Sequence, residues 1–293
     1  MDLPVSITGL EEQLRGVGDI VPDPNLFSDP QVFAAERERI FQRSVTALDH
    51  ETRLAADGRW FRCDAAPRSI LVTRVAGGRL HALRNVCIHA GYPVCDAEEE
   101  GATERLICPY HGWEYTLDGK LVEPELSSRI DPARLRLPSY SVCVRNGMIF
   151  VGPSGADQIV EQCASAVPAW MTAATVAQRA QCNTNWNWKS LRHFLRSSPR
   201  LFLDGVAERH DFGPLSLMFA RSPRAVLLRI VPKFAEQTDL QVIEMVAGDG
   251  EHGPRSLSLS DGFIEQLDGA DKSLSWFDRD IAGWYWSLMA PTQ

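Results

Sequence analysis

Apolar and polar residues alternate along this chain with two different periods. The segment 29–41 is predicted to be helical. Asp29 stands before Pro30, which is a favourable helix start, and apolar residues follow at helical spacing. These apolar residues are Phe33, Ile40 and Phe41. The charged run 36–39 (Glu36, Arg37, Glu38, Arg39) is expected to lie on the opposite, solvent-facing side.

From about Trp60 the period changes to two, which is typical of β-strands. The dipeptides Gly77-Gly78, Asp118-Gly119 and Asn146-Gly147 are hairpin signals, and each separates two short alternating segments. Three hairpins within about 90 residues predict a small antiparallel β domain.

After Pro153 the pattern becomes mixed. Helices are predicted over 158–166, 186–196 and 276–289, and strands over 176–182, 225–231 and 240–246. The fold class is therefore α+β. We predict three parts: a helical segment 1–44 that packs on the C-terminal domain, a β domain 45–155, and an α+β domain 156–293.

Composition narrows the classes of partner. The formal net charge of −8 disfavours nucleic acid and anionic membranes, which bind basic surfaces. No signal peptide is apparent, and no stretch reaches the roughly 18 apolar residues of a membrane span. The cysteine count of seven is odd, which disfavours a disulfide framework. These features predict a cytoplasmic protein in which the cysteines that bind no metal are buried thiols.

The most informative pattern is C-x-H followed, eighteen residues later, by C-x-x-H. It consists of Cys87, His89, Cys108 and His111. Each loop offers one thiolate and one imidazole, and a Rieske [2Fe–2S] cluster needs two Cys on one iron and two His on the other. A structural zinc site is the alternative, but zinc loops usually pair Cys with Cys and His with His. The pattern therefore predicts one [2Fe–2S] cluster and one-electron chemistry.

The same loops resemble the cluster loops of Rieske non-haem iron oxygenase α subunits. The similar segments are 85–91 (Asn-Val-Cys-Ile-His-Ala-Gly) and 108–113 (Cys-Pro-Tyr-His-Gly-Trp), and the likeness extends to 33–41, 117–121 and 187–189. The family often has Arg where this chain has Ile88 and Ala90. The resemblance implies that the third part is an oxygenase-type, helix-grip-like domain, here shortened.

The resemblance also implies a second metal site that this chain does not preserve. Family members hold one iron with two His five positions apart and a carboxylate, and an acidic residue three positions earlier bridges to the neighbouring subunit's cluster. Carried onto this sequence, the bridging acid falls on Arg196, and the two His fall on Pro199 and Asp204. The carboxylate position falls near Asp278. Proline has no side-chain donor atom and disfavours helix at the residue before it. Mononuclear Fe(II) is therefore expected to be absent, with no catalytic residue on this chain.

A substitute metal site remains conceivable. It would draw on His193 and His210 together with the two aspartates at 204 and 278. Such an oxygen-rich set would suit manganese or magnesium better than an oxygen-activating iron. The simpler interpretation is that these are surface or hydrogen-bonded residues.

The resulting hypothesis is an accessory, electron-transferring subunit. It would form a hetero-oligomer, based on the family's head-to-tail trimer, with a catalytic Rieske oxygenase paralogue, and a reductase or ferredoxin would supply electrons. One alternative is an autonomous mono- or dioxygenase that hydroxylates a small organic substrate at a remodelled iron site. The other is a stand-alone Rieske electron carrier or redox sensor.

Overall fold

The computed structural model describes residues 3–65, 68–96, 99–122, 135–248 and 277–290. The chain separates into two compact units. Val45–Val176 forms the central unit, and Met1–Ser44 together with Ala177–Gln293 forms the terminal unit. Whereas the predicted domain boundary is at residue 155, the central unit continues to Val176.

The central unit is built mainly of antiparallel strands. In chain order they are β1 (Thr46–His50), β2 (Arg59–Ala65), β3 (Arg68–Arg74), β4 (Leu80–Arg84), β5 (Glu100–Ala102), β6 (Arg105–Ile107), β7 (Glu114–Thr116), β8 (Ser139–Arg145) and β9 (Met148–Gly152). Seven of them form one sheet in the order β1-β9-β8-β4-β3-β2-β5, and β6 pairs with β7. Helix α4 (Asp157–Ala164) packs on β8 and β9. This packing explains why the central unit extends beyond residue 155.

Alternation along β2, β3 and β4 gives this sheet two buried faces. Phe61, Val72 and Ala82 lie in one apolar core with residues of β1 and β9. Trp60 and Leu71 point to the opposite face, into a second core that also contains the predicted cysteine ligands. Successive residues of a strand point to opposite faces, so the same strands that build the main core also support the ligand loops.

The predicted hairpins are found at all three turn signals. Val72 pairs with Ala82 across the first, and Val142 pairs with Val151 across the third. The middle hairpin is shorter than predicted, since residues 120–122 form only isolated bridges after β7.

The terminal unit combines helices with a second antiparallel sheet. Its helices are α1 (Val5–Arg15), α2 (Asn25–Ser28), α3 (Pro30–Glu36, continued by a π-helical turn Arg37–Phe41), α5 (Trp188–Ser197) and α6 (Arg279–Met289). Its strands are β10 (Ala174–Thr184), β11 (Glu208–Asp211), β12 (Ser216–Arg221), β13 (Arg224–Phe234) and β14 (Gln237–Ala247), in the order β10-β14-β13-β12-β11. The predicted pairing of 225–231 with 240–246 is confirmed.

The prediction that Glu36 faces solvent is wrong. Its side chain is buried, and the carboxylate accepts hydrogen bonds from Lys189 Nζ (2.5 Å), Trp188 Nε1 (2.8 Å) and the Tyr285 hydroxyl (2.8 Å). Burial lowers the pKa of Lys189, whereas the Glu36 carboxylate opposes that effect. Helical spacing explains the burial, because Glu36 follows Phe33 by three residues and therefore lies on the apolar face. This cluster joins α3, α5 and α6.

The cysteines outside the ligand pattern form no disulfide within the described residues, but only some of them are buried. Cys63 and Cys182 are buried, whereas Cys95, Cys143 and Cys163 are half-buried, so the prediction of buried thiols is only partly correct. Within the described residues, none of the helices has the length and apolarity needed to cross a membrane.

Candidate metal centre

The two predicted ligand loops close with the same backbone hydrogen bonds. In the first loop, Cys87 N donates to Tyr92 O at 2.7 Å, and Gly91 N donates to Cys87 O at 2.9 Å. In the second, Cys108 N donates to Trp113 O at 2.8 Å, and the amide of residue 112 donates to Cys108 O at 3.0 Å. Each loop is therefore a compact turn that begins at its cysteine. The first lies between β4 and β5, and the second joins β6 to β7.

Both turns need glycine four residues after the cysteine. Gly91 and Gly112 have φ values of +74° and +71°, a left-handed conformation that other residues rarely adopt. Since the two loops share this conformation, each presents its thiol and its imidazole in the same way.

The thiols of Cys87 and Cys108 lie at the buried end of the site. Each cysteine is only 2% exposed, and both belong to the same apolar core. Burial raises the pKa of the Cys108 thiol, and the neighbouring Cys87 raises it further. Bound metal favours the thiolate, so a positive metal centre would offset this effect.

The imidazoles of His89 and His111 lie at the exposed end, with ring centroids 4.6 Å apart. Trp113 stacks on His89 at 4.6 Å with an interplanar angle of 10°. Tyr110 lies 3.9 Å from the ring of His111. Aromatic neighbours thus restrict the orientation of both rings while leaving them accessible.

Tyr115 is a functional candidate that the sequence interpretation missed. Its hydroxyl lies 3.1 Å from Cys87 Sγ and accepts a hydrogen bond from Ile88 N at 3.3 Å. Burial raises the pKa of Tyr115 above its usual range, so the hydroxyl keeps its proton and can donate to a thiolate. A signal was present, because Tyr115 stands between the polar residues Glu114 and Thr116 in a short strand and should point inward.

This donor set fits a [2Fe–2S] cluster. Two soft thiols lie at the buried end and two imidazoles at the exposed end, as one iron with two Cys and one iron with two His require. Across the described part of the chain, no three or more His, Cys, Asp or Glu side chains converge closely enough to hold a single metal ion.

Pro199 and Asp204, two of the positions expected for ligands of a mononuclear iron, lie beyond the C-terminal end of α5. Helix α5 ends at Ser197, Ser198 leaves the helical conformation (φ −123°, ψ 49°), and Pro199 opens a short 3₁₀ turn. Asp204 is exposed, and its backbone carbonyl accepts a hydrogen bond from Arg221 at 2.7 Å. The helix that would aim two ligands at one ion therefore stops before either position.

The other candidates for that site are Asp278, His193 and His210. Asp278 is the N-cap of α6, and its carboxylate accepts a hydrogen bond from Ile281 N at 3.0 Å. Burial and the nearby Arg196 lower the pKa of His193, whereas the carboxylate of Asp278 opposes them. His210 lies in β11, 3.8 Å from the carboxylate of Glu208.

Arg196, at the bridging position, belongs to an arginine cluster around Asp211. Arg192, Arg196 and Arg209 lie 3.1, 3.4 and 3.1 Å from its carboxylate oxygens. The sequence interpretation singled out only Arg196. The run 189–200 indicates a positively charged segment, since it contains four basic residues and no acidic one.

Comparison with known proteins identifies the central unit. The family described as the Rieske [2Fe-2S] domain matches residues 44–141. The chain is 28% identical over 176 residues to the glycine betaine monooxygenase oxygenase subunit of Chromohalobacter salexigens, covering 58% of this chain and 39% of that protein. It is 40% identical over 98 residues to the N,N-dimethyl phenylurea N-demethylase subunit alpha of Sphingobium sp., covering 33% of this chain and 21% of that protein. These alignments span less than half the length of either relative.

Solved structures extend the likeness to the fold of most of the chain. The quaternary ammonium Rieske monooxygenase CntA bound to gamma-butyrobetaine superposes with a TM-score of 0.65 at 19% identity, covering 84% of this chain and 79% of that one. Naphthalene 1,2-dioxygenase with bound indole superposes with a TM-score of 0.57 at 17% identity, covering 82% and 74%. At these identities the likeness concerns the fold alone.

Proposed function

We propose that this chain, which contains a Rieske [2Fe–2S] domain and is homologous to Rieske oxygenase α subunits, is an accessory electron-transferring subunit without its own mononuclear iron. It would work in a hetero-oligomer with a catalytic Rieske oxygenase paralogue. A reductase or ferredoxin would be its electron donor.

One contrast carries this proposal. Cys87, His89, Cys108 and His111 converge in two matched loops on one support. The positions of the second site do not share such a support: Pro199 lies beyond the end of α5, Asp204 is exposed, and Asp278 caps another helix. A side chain that ligates iron must be aimed by a rigid element, and these positions lack a common one.

The residues of the central unit have distinct tasks in this proposal. The cluster itself supplies a one-electron carrier. Cys87 and Cys108 would hold it at the buried end, where the apolar core excludes water, and the Tyr115 hydroxyl would donate a hydrogen bond to a thiolate. His89 and His111 would hold it at the exposed end, which is accessible to an electron donor or acceptor. The first ligand loop has Ile88 and Ala90 at two positions where many family members have arginine.

The names of the relatives suggest the class of molecule that the complex would oxidise. Glycine betaine monooxygenase and phenylurea N-demethylase subunits act, by those names, on nitrogen-bearing small molecules. The substrate would belong to the paralogue's pocket, so we assign only the class: a small organic molecule that is oxidised with molecular oxygen.

The test is to purify the cluster-loaded chain alone and together with a Rieske oxygenase α subunit encoded in the same genome. Oxygen consumption and product formation would be followed with a generic reductase and reduced nicotinamide. We expect no turnover from the isolated chain, a stable complex with the paralogue, and turnover of that complex. His111→Ala in this chain should reduce turnover of the complex, whereas Asp204→Ala should leave it unchanged.

Two results would overturn the proposal. Oxygen-dependent product formation by the isolated chain would mean an autonomous oxygenase. A reducible cluster in a chain that forms no complex with any Rieske oxygenase of the same genome would mean a stand-alone carrier or sensor.

A further inference from the structure

The arginine cluster of the terminal unit consists of Arg192, Arg196 and Arg209, which surround Asp211. Arg192 and Arg196 are four residues apart on α5 and therefore share one face of the helix. Arg209 and Asp211 are two residues apart on β11 and share one face of that strand. Three guanidinium groups thus meet at one place, although the chain as a whole has a net charge of −8.

Arg192 forms the rigid base of the arginine cluster. Its Nε donates to Pro214 O at 3.1 Å, and one terminal nitrogen donates to Asp211 Oδ1 at 3.1 Å. Its guanidinium group also lies 4.5 Å from the ring centroid of Trp284. The other carboxylate oxygen of Asp211 accepts a hydrogen bond from Arg209 Nε at 3.1 Å. The single carboxylate of the cluster is therefore already shared between two cations.

Arg196 is the member of the cluster with the weakest compensation. Its Nε is buried and lies 3.4 Å from Asp211 Oδ1, yet it forms no hydrogen bond within the described residues. The side chains of Arg196 and Arg209 are 34% and 41% exposed, and Asp211 is the only acceptor that either of them contacts in the described part of the chain. Since the Nε atoms lie towards Asp211, at least one terminal nitrogen of each planar group is directed away from it.

The charges of the cluster do not balance. Three guanidinium groups share one carboxylate, which leaves a local charge of about +2. The C-terminus of α5 adds only about half a negative charge beside Arg196, which lies in its last turn. Burial lowers the pKa of Arg192 to about 10, and the neighbouring Arg196 and Arg209 lower it as well, whereas Asp211 opposes them. A second anion would relieve the repulsion among the three arginines.

We propose that the arginine cluster is a binding site for a small oxyanion with two negative charges, either a phosphate group or a dicarboxylate. The outward terminal nitrogens of Arg196 and Arg209 donate hydrogen bonds to its oxygens, and Arg192 holds the base of the site in place. Planar guanidinium groups match the oxygens of phosphates and carboxylates in a bidentate geometry. A doubly charged ligand is favoured over a singly charged one, because it balances the local charge of about +2.

This site does not depend on the proposed function. It uses none of the four ligands of the [2Fe–2S] cluster, and it needs neither a paralogue nor an electron donor. The anion site can therefore hold if the accessory role fails, and the accessory role can hold if no anion binds.

The experiment is isothermal titration calorimetry of the cluster-loaded full chain with sodium phosphate and, separately, with sodium malonate. Sodium chloride keeps the ionic strength constant, so that charge screening is the same throughout. The test variant is Arg196→Gln with Arg209→Gln. The matched control is Arg43→Gln with Arg145→Gln, which removes the same charge at two exposed positions elsewhere. The visible spectrum and circular dichroism show whether each variant is folded.

We expect saturable binding of at least one of the two dianions with a Kd of about 1 mM or lower. The test variant should weaken binding by about tenfold or more, because it removes the charge-assisted hydrogen bonds, and the control should bind like the native chain. Tighter binding of phosphate would assign a phosphoryl ligand, and tighter binding of malonate a dicarboxylate.

The melting temperature of the native chain gives a second readout that needs no variant. Phosphate or malonate should raise it in a saturable manner at constant ionic strength, because a ligand that binds only the folded state stabilises that state. Saturable binding of neither dianion, an unchanged affinity in the folded test variant, or an equal loss of affinity in the control would overturn the proposal.

Discussion

The ligand loops and the segment after α5 differ in how their side chains are held. Each loop is closed by two backbone hydrogen bonds, turns at a glycine with positive φ, and lies on a core shared by several strands. The segment 198–204 instead leaves the helix at Ser198, and its proline and aspartate share no element that would direct them to one point. A metal centre therefore depends on the backbone that positions its ligands as much as on the ligands themselves.

The largest effect should come from a ligand at the buried end. Cys108→Ser should abolish the visible absorption of the cluster, because a serine hydroxyl is a much poorer ligand for iron than a thiolate. The matched control is Cys182→Ser. That cysteine is also buried, and burial raises the pKa of its thiol to about 11. The control should keep the full spectrum. A loss of absorption in both variants would mean that the cluster depends on general stability and not on the loop.

A second prediction concerns the buried ion pair of the terminal unit. Glu36→Ala should lower the free energy of unfolding by about 3–5 kcal/mol, because it leaves the Lys189 ammonium buried without its partner. Urea unfolding followed by tryptophan fluorescence measures this change. Glu38→Ala, at an exposed position two residues later, should change stability by only about 0.5 kcal/mol or less.

Replacing both members of the pair sharpens this prediction. Glu36→Leu combined with Lys189→Met should recover much of the lost stability, since an apolar pair of similar size avoids the cost of burying charge. If the Glu36→Ala variant were as stable as the native chain, the buried ion pair would not be the contact that holds α3 to α5.

The third effect is on the cluster's reduction potential. Tyr115→Phe should keep the cluster but lower its potential by tens of millivolts, since a hydrogen bond to the Cys87 sulfur stabilises the more negative reduced state and about 59 mV corresponds to a tenfold change for a one-electron couple. Spectroelectrochemistry measures the shift. Tyr92→Phe removes a hydroxyl that instead bonds Asp96, and it should leave the potential nearly unchanged.

The smallest effect is expected at a predicted position of the second site. Asp278→Ala should cost about 1 kcal/mol through loss of the helix cap, and Asp278→Asn should retain most of that stability. Iron content should be the same in both variants and in the native chain. Iron lost with Asp278→Ala but not with other destabilising changes would indicate that this carboxylate is a ligand.

Local patterns predicted the parts of this molecule in which neighbouring residues determine the conformation. The hairpins at Gly77-Gly78 and Asn146-Gly147 follow from turn chemistry, and the helix start at Asp29 follows from capping, since its side chain accepts a hydrogen bond from Gln31 N. The Cys and His residues of the pattern lie in two loops of this β domain, each between strands.

Other features depend on residues that are distant in sequence. Glu36 was assigned to the solvent side because it stands in a charged run, although the residues that make its burial favourable are Lys189 and Tyr285. The arginine cluster likewise needs Asp211, which only the packing of α5 near β11 brings close. Contacts of this kind are set by packing and not by local sequence preference.

The central claim is most directly tested by counting the iron in the purified chain and assigning each iron by Mössbauer spectroscopy. We expect about two irons and two sulfides per chain, with all of the iron in the signals of a Rieske cluster. A third iron per chain, with the signal of a separate high-spin ferrous ion that is lost on mild chelation, would contradict it.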